Sequence, residues 1–319
     1  MSIAQMTSPT VPQVAGVFHH LLMATDFSEP SQRALAGAMV LAGQNHAHLS
    51  VVHVMHTDWR YEILDNPPEI DLERIDAQRR LEAVTHEIGS GPATDSIIIR
   101  HGPVPQKVIA LAEESDVDLL VIGTRGRAGL TKLALGSVAE ELLRIAPCPV
   151  ITFGPNAKVA MSPQEPAFRS ILFATDFGAG SAKALPYVRA MASAPSTNLA
   201  LLHMIAPMPV STNLSAYAPA SAAADEFKEW EGSSRARSLQ QLKEWWLNNA
   251  KLAREPKYIV GTDFLAEGVL TAAEQLHCDL IVMGANRAAS ARLAAHIPWS
   301  TVHEVIRHAR CPVMTCVGQ

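Results

Sequence analysis

Cysteine is scarce in this 319-residue chain, and its placement does not suit a disulfide framework. One cysteine lies in the first half and three lie in the second: Cys148, Cys278, Cys311 and Cys316. Secreted scaffolds that depend on disulfides carry a dense, even set of cysteines. Residues 1–16 also contain no lysine, no arginine and no apolar stretch of the kind found in a secretory signal. A reducing, cytoplasmic environment is therefore expected.

Long apolar runs and basic runs are also missing. No stretch approaches the roughly 18–20 apolar residues that a membrane-spanning helix needs, so no membrane span is expected. Acidic residues outnumber basic ones, 31 to 26, which gives a formal net charge of −5. Because surfaces that bind nucleic acid usually show a basic stripe, nucleic acid is not an expected partner.

Signatures of dedicated catalysis are absent from the sequence. It has no Gly-x-Ser-x-Gly elbow, no P-loop lysine after a glycine loop and no cysteine in a recognisable nucleophile context. Cys-x2-Cys and His-x3-His spacings, which would indicate a zinc site, are missing as well. We therefore predict no catalytic residue and no metal ligand, and the sequence favours a binding protein over an enzyme.

What the sequence does contain is an internal repeat. Leu-Met-Ala-Thr-Asp-Phe at 22–27 returns as Leu-Phe-Ala-Thr-Asp-Phe at 172–177, with five identities in six. Three more segments return in the same order: 50–55 as 200–205, 118–123 as 279–284, and 148–150 as 311–313. Such ordered matches indicate a duplication. We predict a first domain at 17–154, a linker at 155–168 and a second domain at 169–319.

Short apolar runs alternate with helical patterns in each copy. In the first copy, strands are predicted near 20–25, 49–55, 96–100, 118–123 and 149–153, and helices near 30–44, 69–88, 104–115 and 137–145. Runs that are apolar on both faces and separated by crossovers of about a dozen residues are typical of parallel sheets covered by helices. The predicted fold class is α/β, with two tandem, open, doubly wound, parallel five-stranded sheets.

The second copy carries an insertion. Residues 207–224 are rich in serine, alanine and proline and predict a flexible loop, and a helix is predicted at about 222–253. We interpret the aromatic side chains of this helix as packing against its own sheet or the partner domain, in preference to a ligand site. These side chains are Phe227, Trp230, Trp245 and Trp246.

Two polar segments follow predicted strands of the first copy. Thr25-Asp26 follows the first strand, and Gly123-Thr-Arg-Gly126 follows the fourth, with Gly136-Ser137 nine residues further on. Glycines allow backbone N–H groups to turn towards an anion, and the start of a helix accepts phosphate. Ligands of open parallel sheets bind beyond the carboxyl ends of the strands. The spacing therefore predicts a phosphate-binding loop at this edge of the sheet.

The pattern Gly-x2-Gly-x9-Gly-Ser, with Ala-Thr-Asp-Phe-Ser at 24–28 and Cys-Pro-Val at 148–150, resembles the universal stress protein family, UspA type. The duplication resembles its tandem, two-domain (UspE-like) branch. The resemblance implies an adenine-nucleotide α-hydrolase-like fold with strand order 3-2-1-4-5. It also implies bound ATP, with or without Mg²⁺. A cytoplasmic, ATP-binding stress regulator is the leading expectation.

The resemblance also implies the site residues. Ala24, Thr25 and Asp26 would border the adenosine, and Val54 would contact the adenine. Ile122 and Gly123 would line the base and the ribose. The triphosphate would be held by Gly126, Gly136, Ser137 and Val138, with Arg125 and Arg127 nearby. For Asp26 a second interpretation stays open, a carboxylate that stabilises the start of the following helix. Pairing of the last strands, 148–153 with 311–316, is implied within the chain, and a homodimer is a further expectation.

The second copy departs from the family pattern. Arg287 stands where the second glycine should be, Pro298 removes a backbone donor, and Trp299 aligns with Gly136. We therefore predict that this copy does not bind ATP in the family manner. Two alternative functions stay open: a slow ATPase or nucleotide hydrolase in the first cleft, and a scaffold or ligand-binding module with a non-nucleotide site in the second copy.

Overall fold

The computed structural model describes residues 16–55, 75–80, 82–83, 96–124, 135–158, 167–205, 220–250, 252, 254–262, 264–286 and 299–318. The first copy contains β1 (His20–Thr25), α1 (Glu29–Asn45), β2 (His48–Met55), β3 (Ser96–His101), α2 (Val104–Glu114), β4 (Leu119–Gly123), α3 (Ser137–Ile145) and β5 (Val150–Phe153). The second contains β6 (Ser170–Ala174), α4 (Ala179–Met191), β7 (Asn198–Met204), α5 (Ala220–Asn249), β8 (Lys257–Gly261), α6 (Leu265–Gln275), β9 (Leu280–Asn286), α7 (Trp299–His308) and β10 (Val313–Gly318). Residues 75–80 and 82–83 are also helical.

The strands form one ten-stranded sheet in the order β3-β2-β1-β4-β5-β10-β9-β6-β7-β8. Neighbouring strands are parallel within each copy, and each copy has the predicted order 3-2-1-4-5. The two halves meet where β5 and β10 run antiparallel, with Ile151 opposite Met314. The Thr152 hydroxyl strengthens this seam by donating to the Val313 carbonyl at 2.9 Å. The predicted fold class is confirmed, and the two expected sheets are continuous through their last strands.

Both faces of the sheet are covered by helices. Leu21 and Met23 of β1 belong to a core cluster shared with α1, α4 and α5, whereas Leu22 belongs to a second cluster shared with α2, α3, α6 and α7. Successive side chains of a strand point to opposite faces, so every strand position here meets an apolar layer. This explains why the strands appear in the sequence as continuous apolar runs.

The aromatic side chains of α5 divide into two pairs. Trp246 is 3% exposed and lies in the core, and the Trp245 ring lies 5.8 Å from that of Phe177. Phe227 is 45% exposed and contacts Trp230 at 5.9 Å. The packing prediction is thus confirmed for the C-terminal pair and wrong for Phe227, because the sheet edge lies beside the other end of the helix. The helix begins at Ala220, within the predicted loop 207–224, and residues 206–219 lie outside the described residues.

Candidate functional site

The carboxyl ends of β1 and β4 lie side by side and form the mouth of a crevice. Ala24 pairs with Ile122 across these strands. The helices that follow diverge: α1 packs on one face of the sheet and α3 on the other. This divergence creates the switch point at which open α/β sheets bind ligands. Six predicted site residues lie at this edge of the sheet: Ala24, Thr25, Asp26, Val54, Ile122 and Gly123.

The turn after β1 is held by its own side chains. Thr25 Oγ1 accepts the Phe27 N–H at 3.1 Å, and Asp26 Oδ1 accepts both the Ser28 N–H at 3.0 Å and the Ser28 hydroxyl at 2.6 Å. Phe27 adopts a left-handed φ of 64°, and its ring lies 4.5 Å from that of His53. His53 Nδ1 in turn donates to the Thr25 carbonyl at 2.8 Å. His53 is therefore a hydrogen-bonded strand residue that helps to hold this turn.

One oxygen of the Asp26 carboxylate has no hydrogen-bond partner among the described residues. Both donors of Ser28 go to Oδ1, whereas Oδ2 is buried and accepts no hydrogen bond. A buried acceptor without a donor costs free energy comparable to a lost hydrogen bond, and more when it is charged. The carboxylate is therefore suited to accept a hydrogen bond from a hydroxyl or amino group of a molecule in the crevice.

The equivalent turn of the second copy bonds its carboxylate to a residue of the following helix. Position 178 is glycine, so it lacks the hydroxyl that Ser28 supplies in the first copy. Asp176 Oδ1 instead accepts the Gly178 N–H at 2.9 Å and the Ser181 hydroxyl at 2.7 Å, and Asp176 is 7% exposed. In the first copy the equivalent hydroxyl of Ser31 donates to the Ser28 carbonyl at 2.9 Å. The two aspartates thus have different surroundings in the same turn.

The base of the predicted phosphate loop is closed by a hydrogen bond. Thr124 is buried, and its amide and hydroxyl both donate to the Phe153 carbonyl, at 3.2 and 3.3 Å. The Gly136 N–H donates to the Thr124 carbonyl at 2.9 Å, so the two ends of the intervening segment meet. Three predicted site residues in that segment lie outside the described residues: Arg125, Gly126 and Arg127.

Helix α3 begins at the crevice with unpaired amides. Its first intrahelical bond runs from Glu140 N to Gly136 O, so the amides of Ser137 and Val138 have no intrahelical acceptor. Both residues are exposed, and among the described residues no side chain caps this helix end. Such a helix start is suited to bind an anion. The Gly136 amide itself is already bonded to Thr124, so the amides available at this helix start are those that follow it.

Gly123 has a packing role that the sequence interpretation missed. A Cβ at this position would lie 2.8 Å from the Pro30 carbonyl carbon and 2.8 Å from the Ser31 nitrogen. A Cβ at Gly284, its counterpart, would meet the backbone of Gly180 and Ser181 even more closely. The start of the following helix approaches the strand end too closely for any side chain. The signal was in the sequence, because this glycine persists in the copy whose loop is degenerate.

The second copy replaces the loop start with more sheet. Ala285 and Asn286, directly after Gly284, continue β9 and align with Val317 and Gly318 of β10. In the first copy, β4 ends at Gly123. Trp299 opens α7 and packs against the second core cluster. The backbone of this copy departs from the nucleotide-binding pattern as its sequence does, because Ala285 and Asn286 remain in the sheet where a binding loop would begin.

The thiols and histidines indicate no further reactive centre in the described residues. Burial raises the pKa of the Cys148 and Cys311 thiols to about 12, so both stay protonated. Burial also lowers the pKa of His203, whose Nδ1 donates to the Thr175 carbonyl at 2.9 Å. Within the described ranges, no three His, Cys, Asp or Glu side chains are grouped as metal ligands. No helix in that part of the chain is long and apolar enough to span a bilayer.

The fold defines a duplicated, doubly wound α/β protein with a switch point between β1 and β4 of its first half. Residues 18–153 and 167–316 each match the Universal stress protein family. The chain therefore belongs to the universal stress protein family, as a tandem two-domain member.

Single-copy relatives each correspond to one half of this chain. Universal stress protein A homolog 1 of Coxiella burnetii is 35% identical over 139 residues, covering 42% of this chain and 94% of the relative. Universal stress protein YxiE of Bacillus subtilis is 30% identical over 145 residues, covering 42% and 98%. The crystal structure of a universal stress protein from Archaeoglobus fulgidus is similar over both halves. It has a TM-score of 0.66, 20% identity and coverage of 94% and 96%, which shows the same fold.

Proposed function

We propose that the first copy binds an adenine nucleotide in the crevice between β1 and β4, and that the protein acts in a stress response through this binding. The buried, unpartnered Oδ2 of Asp26 is the observation that carries the proposal. A nucleoside offers hydroxyl and amino donors, and a phosphate chain suits the free amides at the start of α3. One ligand with both groups would satisfy both ends of the crevice.

Most of the predicted site residues have a place in this proposal. Val54 and Ile122 are buried side chains of one apolar cluster, and Ala24 packs against it, so this face would hold the adenine ring. Ser137 and Val138 would hold the phosphates through their amides. The remaining contacts are assigned from the sequence pattern to Arg125, Gly126 and Arg127, with Mg²⁺ as an accompanying ion of the phosphates.

The proposal assigns one nucleotide to each chain. In the second copy the Asp176 carboxylate is bonded to a buried helix hydroxyl, that of Ser181, and β9 continues through Asn286. Neither the acceptor nor the turn of the first copy is therefore repeated. The domain boundaries at 17–154 and 169–319, the cytoplasmic location and a homodimer belong to this proposal as predictions.

The proposed mode of action is a change of surface and requires no turnover. The segment between Thr124 and Gly136 is fixed at both ends by the hydrogen bond between them. A nucleotide that contacts the segment would restrict it, and a protein partner that reads this surface would distinguish the bound from the free state. The proposal assigns Asp26 to the nucleoside and gives no residue a role in cleaving the phosphates, so it favours binding over hydrolysis.

Calorimetry on nucleotide-stripped full-length protein tests the proposal. We expect ATP, ADP or AMP to bind with a stoichiometry of one per chain. A titration with no heat from any of the three would contradict the proposal, and a stoichiometry of two would contradict the assignment to the first copy alone. Phosphate release over many turnovers that Asp26→Ala abolishes would move the function to the ATPase alternative.

A further inference from the structure

The second copy contains a pocket at the end of its strands that lies opposite to its own turn after β6. It has a volume of about 450 Å³ and lies at the amino-terminal ends of β6, β7 and β8. We call it the basal pocket. Its apolar wall includes Leu199, Ala200, Leu252 and Leu276, and its polar lining includes Ser170, Asn198, Arg254 and Lys257. Pockets of this size with a few polar groups are typical of small-molecule sites.

In the first copy a hydrogen-bonded histidine occupies the corresponding place. His20 Nδ1 donates to the Ser115 carbonyl at 2.8 Å, so Nε2 accepts from the Ser50 hydroxyl at 2.9 Å. Ser50 is in turn 2.8 Å from the Ser96 hydroxyl. The imidazole thus fills the space between the amino-terminal ends of the strands, and both of its nitrogens are satisfied.

The second copy has no imidazole at this position. The sheet registers place Ser170 at the position of His20, and Ala200 at that of Ser50. The Ser170 hydroxyl donates to the Leu276 carbonyl at 3.2 Å, and this carbonyl is the counterpart of the Ser115 carbonyl. The short serine side chain thus makes the hydrogen bond that the His20 imidazole makes in the first copy. Because a hydroxymethyl group replaces an imidazole, the space stays open. The pocket is thus a specific difference between two copies of one fold.

The rim of the pocket carries positive charge without an acidic partner. Arg254 is held by neutral oxygens, the Pro195 carbonyl at 2.8 Å and Asn198 Oδ1 at 3.3 Å. Within the described part of the chain, Arg254 and Lys257 form no ion pair. Glu255 is the one acid that lines the pocket, against two cations. The rim therefore favours an anion, and the guanidinium is already oriented.

We infer that the basal pocket binds a small organic carboxylate. The apolar body of the ligand lies against Ala200 and Leu276, and its carboxylate lies at the rim with Arg254 and Lys257. The pocket uses none of the residues assigned to the nucleotide, so this inference does not depend on the nucleotide proposal. The inferred site would give the second copy a ligand of its own in place of the lost nucleotide.

Titration of the full-length, isotope-labelled protein with hexanoate tests the inference by amide chemical shifts. We expect saturable shifts at residues 198–200 and 254–258. The matched probes 1-hexanol and hexylammonium carry the same chain without the negative charge and should bind at least about tenfold more weakly, since one charge-assisted contact is worth that factor. Equal binding of all three probes, or no saturable shift with hexanoate, would overturn the inference.

Two variants locate the binding. Arg254→Gln should weaken hexanoate binding by about tenfold, whereas Arg237→Gln, an exposed cation on α5, should leave it unchanged. The double variant Ser170→His with Ala200→Ser restores the side chains of the first copy and should abolish binding by filling the pocket. A melting temperature at or above the wild-type value would show that this variant folds. A folded double variant that still binds hexanoate with wild-type affinity would refute the pocket as the site.

Discussion

Ser28 donates its amide and its hydroxyl to the same oxygen of Asp26, which leaves the other carboxylate oxygen buried and without a donor. In the second copy, Gly178 cannot supply the hydroxyl, and the carboxylate is bonded by a helix residue, Ser181, instead. A difference of one side chain in the turn thus changes which residue supplies the second donor to the aspartate, Ser28 of the turn in the first copy and Ser181 of the helix in the second.

This difference predicts opposite effects of the two alanine variants. Asp26→Ala should weaken nucleotide binding by about 10–100-fold, because a charged acceptor is lost, and should lower the unfolding free energy by at most about 1 kcal/mol, because the Ser28 donors are only partly buried and can bond to water. Asp176→Ala should leave nucleotide binding intact but destabilise the protein by about 1–3 kcal/mol, because the fully buried Ser181 hydroxyl loses its acceptor. Calorimetry and urea denaturation measure the two effects. The reverse pattern would place the nucleotide in the second copy.

Replacing either strand-end glycine, Gly123 or Gly284, should lower the free energy of unfolding whether or not nucleotide is present. Gly123→Ala brings a Cβ to 2.8 Å from the backbone of Pro30 and Ser31 and should destabilise the protein by about 1–3 kcal/mol. Gly284→Ala should behave in the same way. Gly232→Ala is the matched control, because its Cβ would meet nothing within 4 Å. In a helix this change should stabilise by about 0.5–1 kcal/mol. Denaturant midpoints of the three variants test the prediction, and a neutral Gly123→Ala would disprove the packing role.

Stability should fall as the pH drops below 6.5. Burial lowers the pKa of His203 from its ordinary value of 6.5, so below that value the unfolded chain binds a proton that the folded chain does not. The free energy of unfolding should therefore decrease from pH 6.5 towards the folded pKa. His203→Asn keeps a donor for the Thr175 carbonyl but cannot be protonated. Thermal melts from pH 5 to 8 should show a smaller pH slope for this variant, and an unchanged slope would exclude His203 as a cause.

The seam between the copies offers a matched pair of threonines. The Thr152 hydroxyl donates to the Val313 carbonyl at 2.9 Å, whereas the buried Thr315 hydroxyl has no hydrogen-bond partner. Thr152→Val should destabilise by about 1 kcal/mol through the lost hydrogen bond. Thr315→Val should be neutral or stabilising by up to about 1–2 kcal/mol, because it removes a buried polar group without a partner. Equal effects in urea denaturation would contradict this account of the seam.

The helices and strands of the first copy could be predicted closely from its sequence. The helix from Ser137 to Ile145 has the predicted bounds, and the strand from His20 to Thr25 does too. Local periodicity and the repeat are sufficient to predict these bounds, because both are patterns of residues that lie close together in the sequence. The prediction for Phe227 was wrong, because aromatic spacing along a helix does not show where the neighbouring sheet ends.

The candidate site was predictable only in part. The pattern of glycines located the loop, but it did not show that Gly136 bonds to Thr124 or that Gly123 is required by the approach of α1. The basal pocket had no signal of its own, since Ser170 and Ala200 are ordinary strand residues. The pocket is recognised only when the side chains at equivalent positions of the two copies are compared in the structure.

The amino-acid sequence by itself determined the duplication and the loss of the loop pattern in the second copy, because these follow from local patterns repeated along the chain, and the strand order within each copy was implied by the family resemblance. Only the tertiary structure decided which hydrogen-bonding groups remain without partners and which spaces remain open. The basal pocket depends on residues that are distant in the chain and adjacent in space, and the contacts between such residues are fixed only when the helices pack on the sheet.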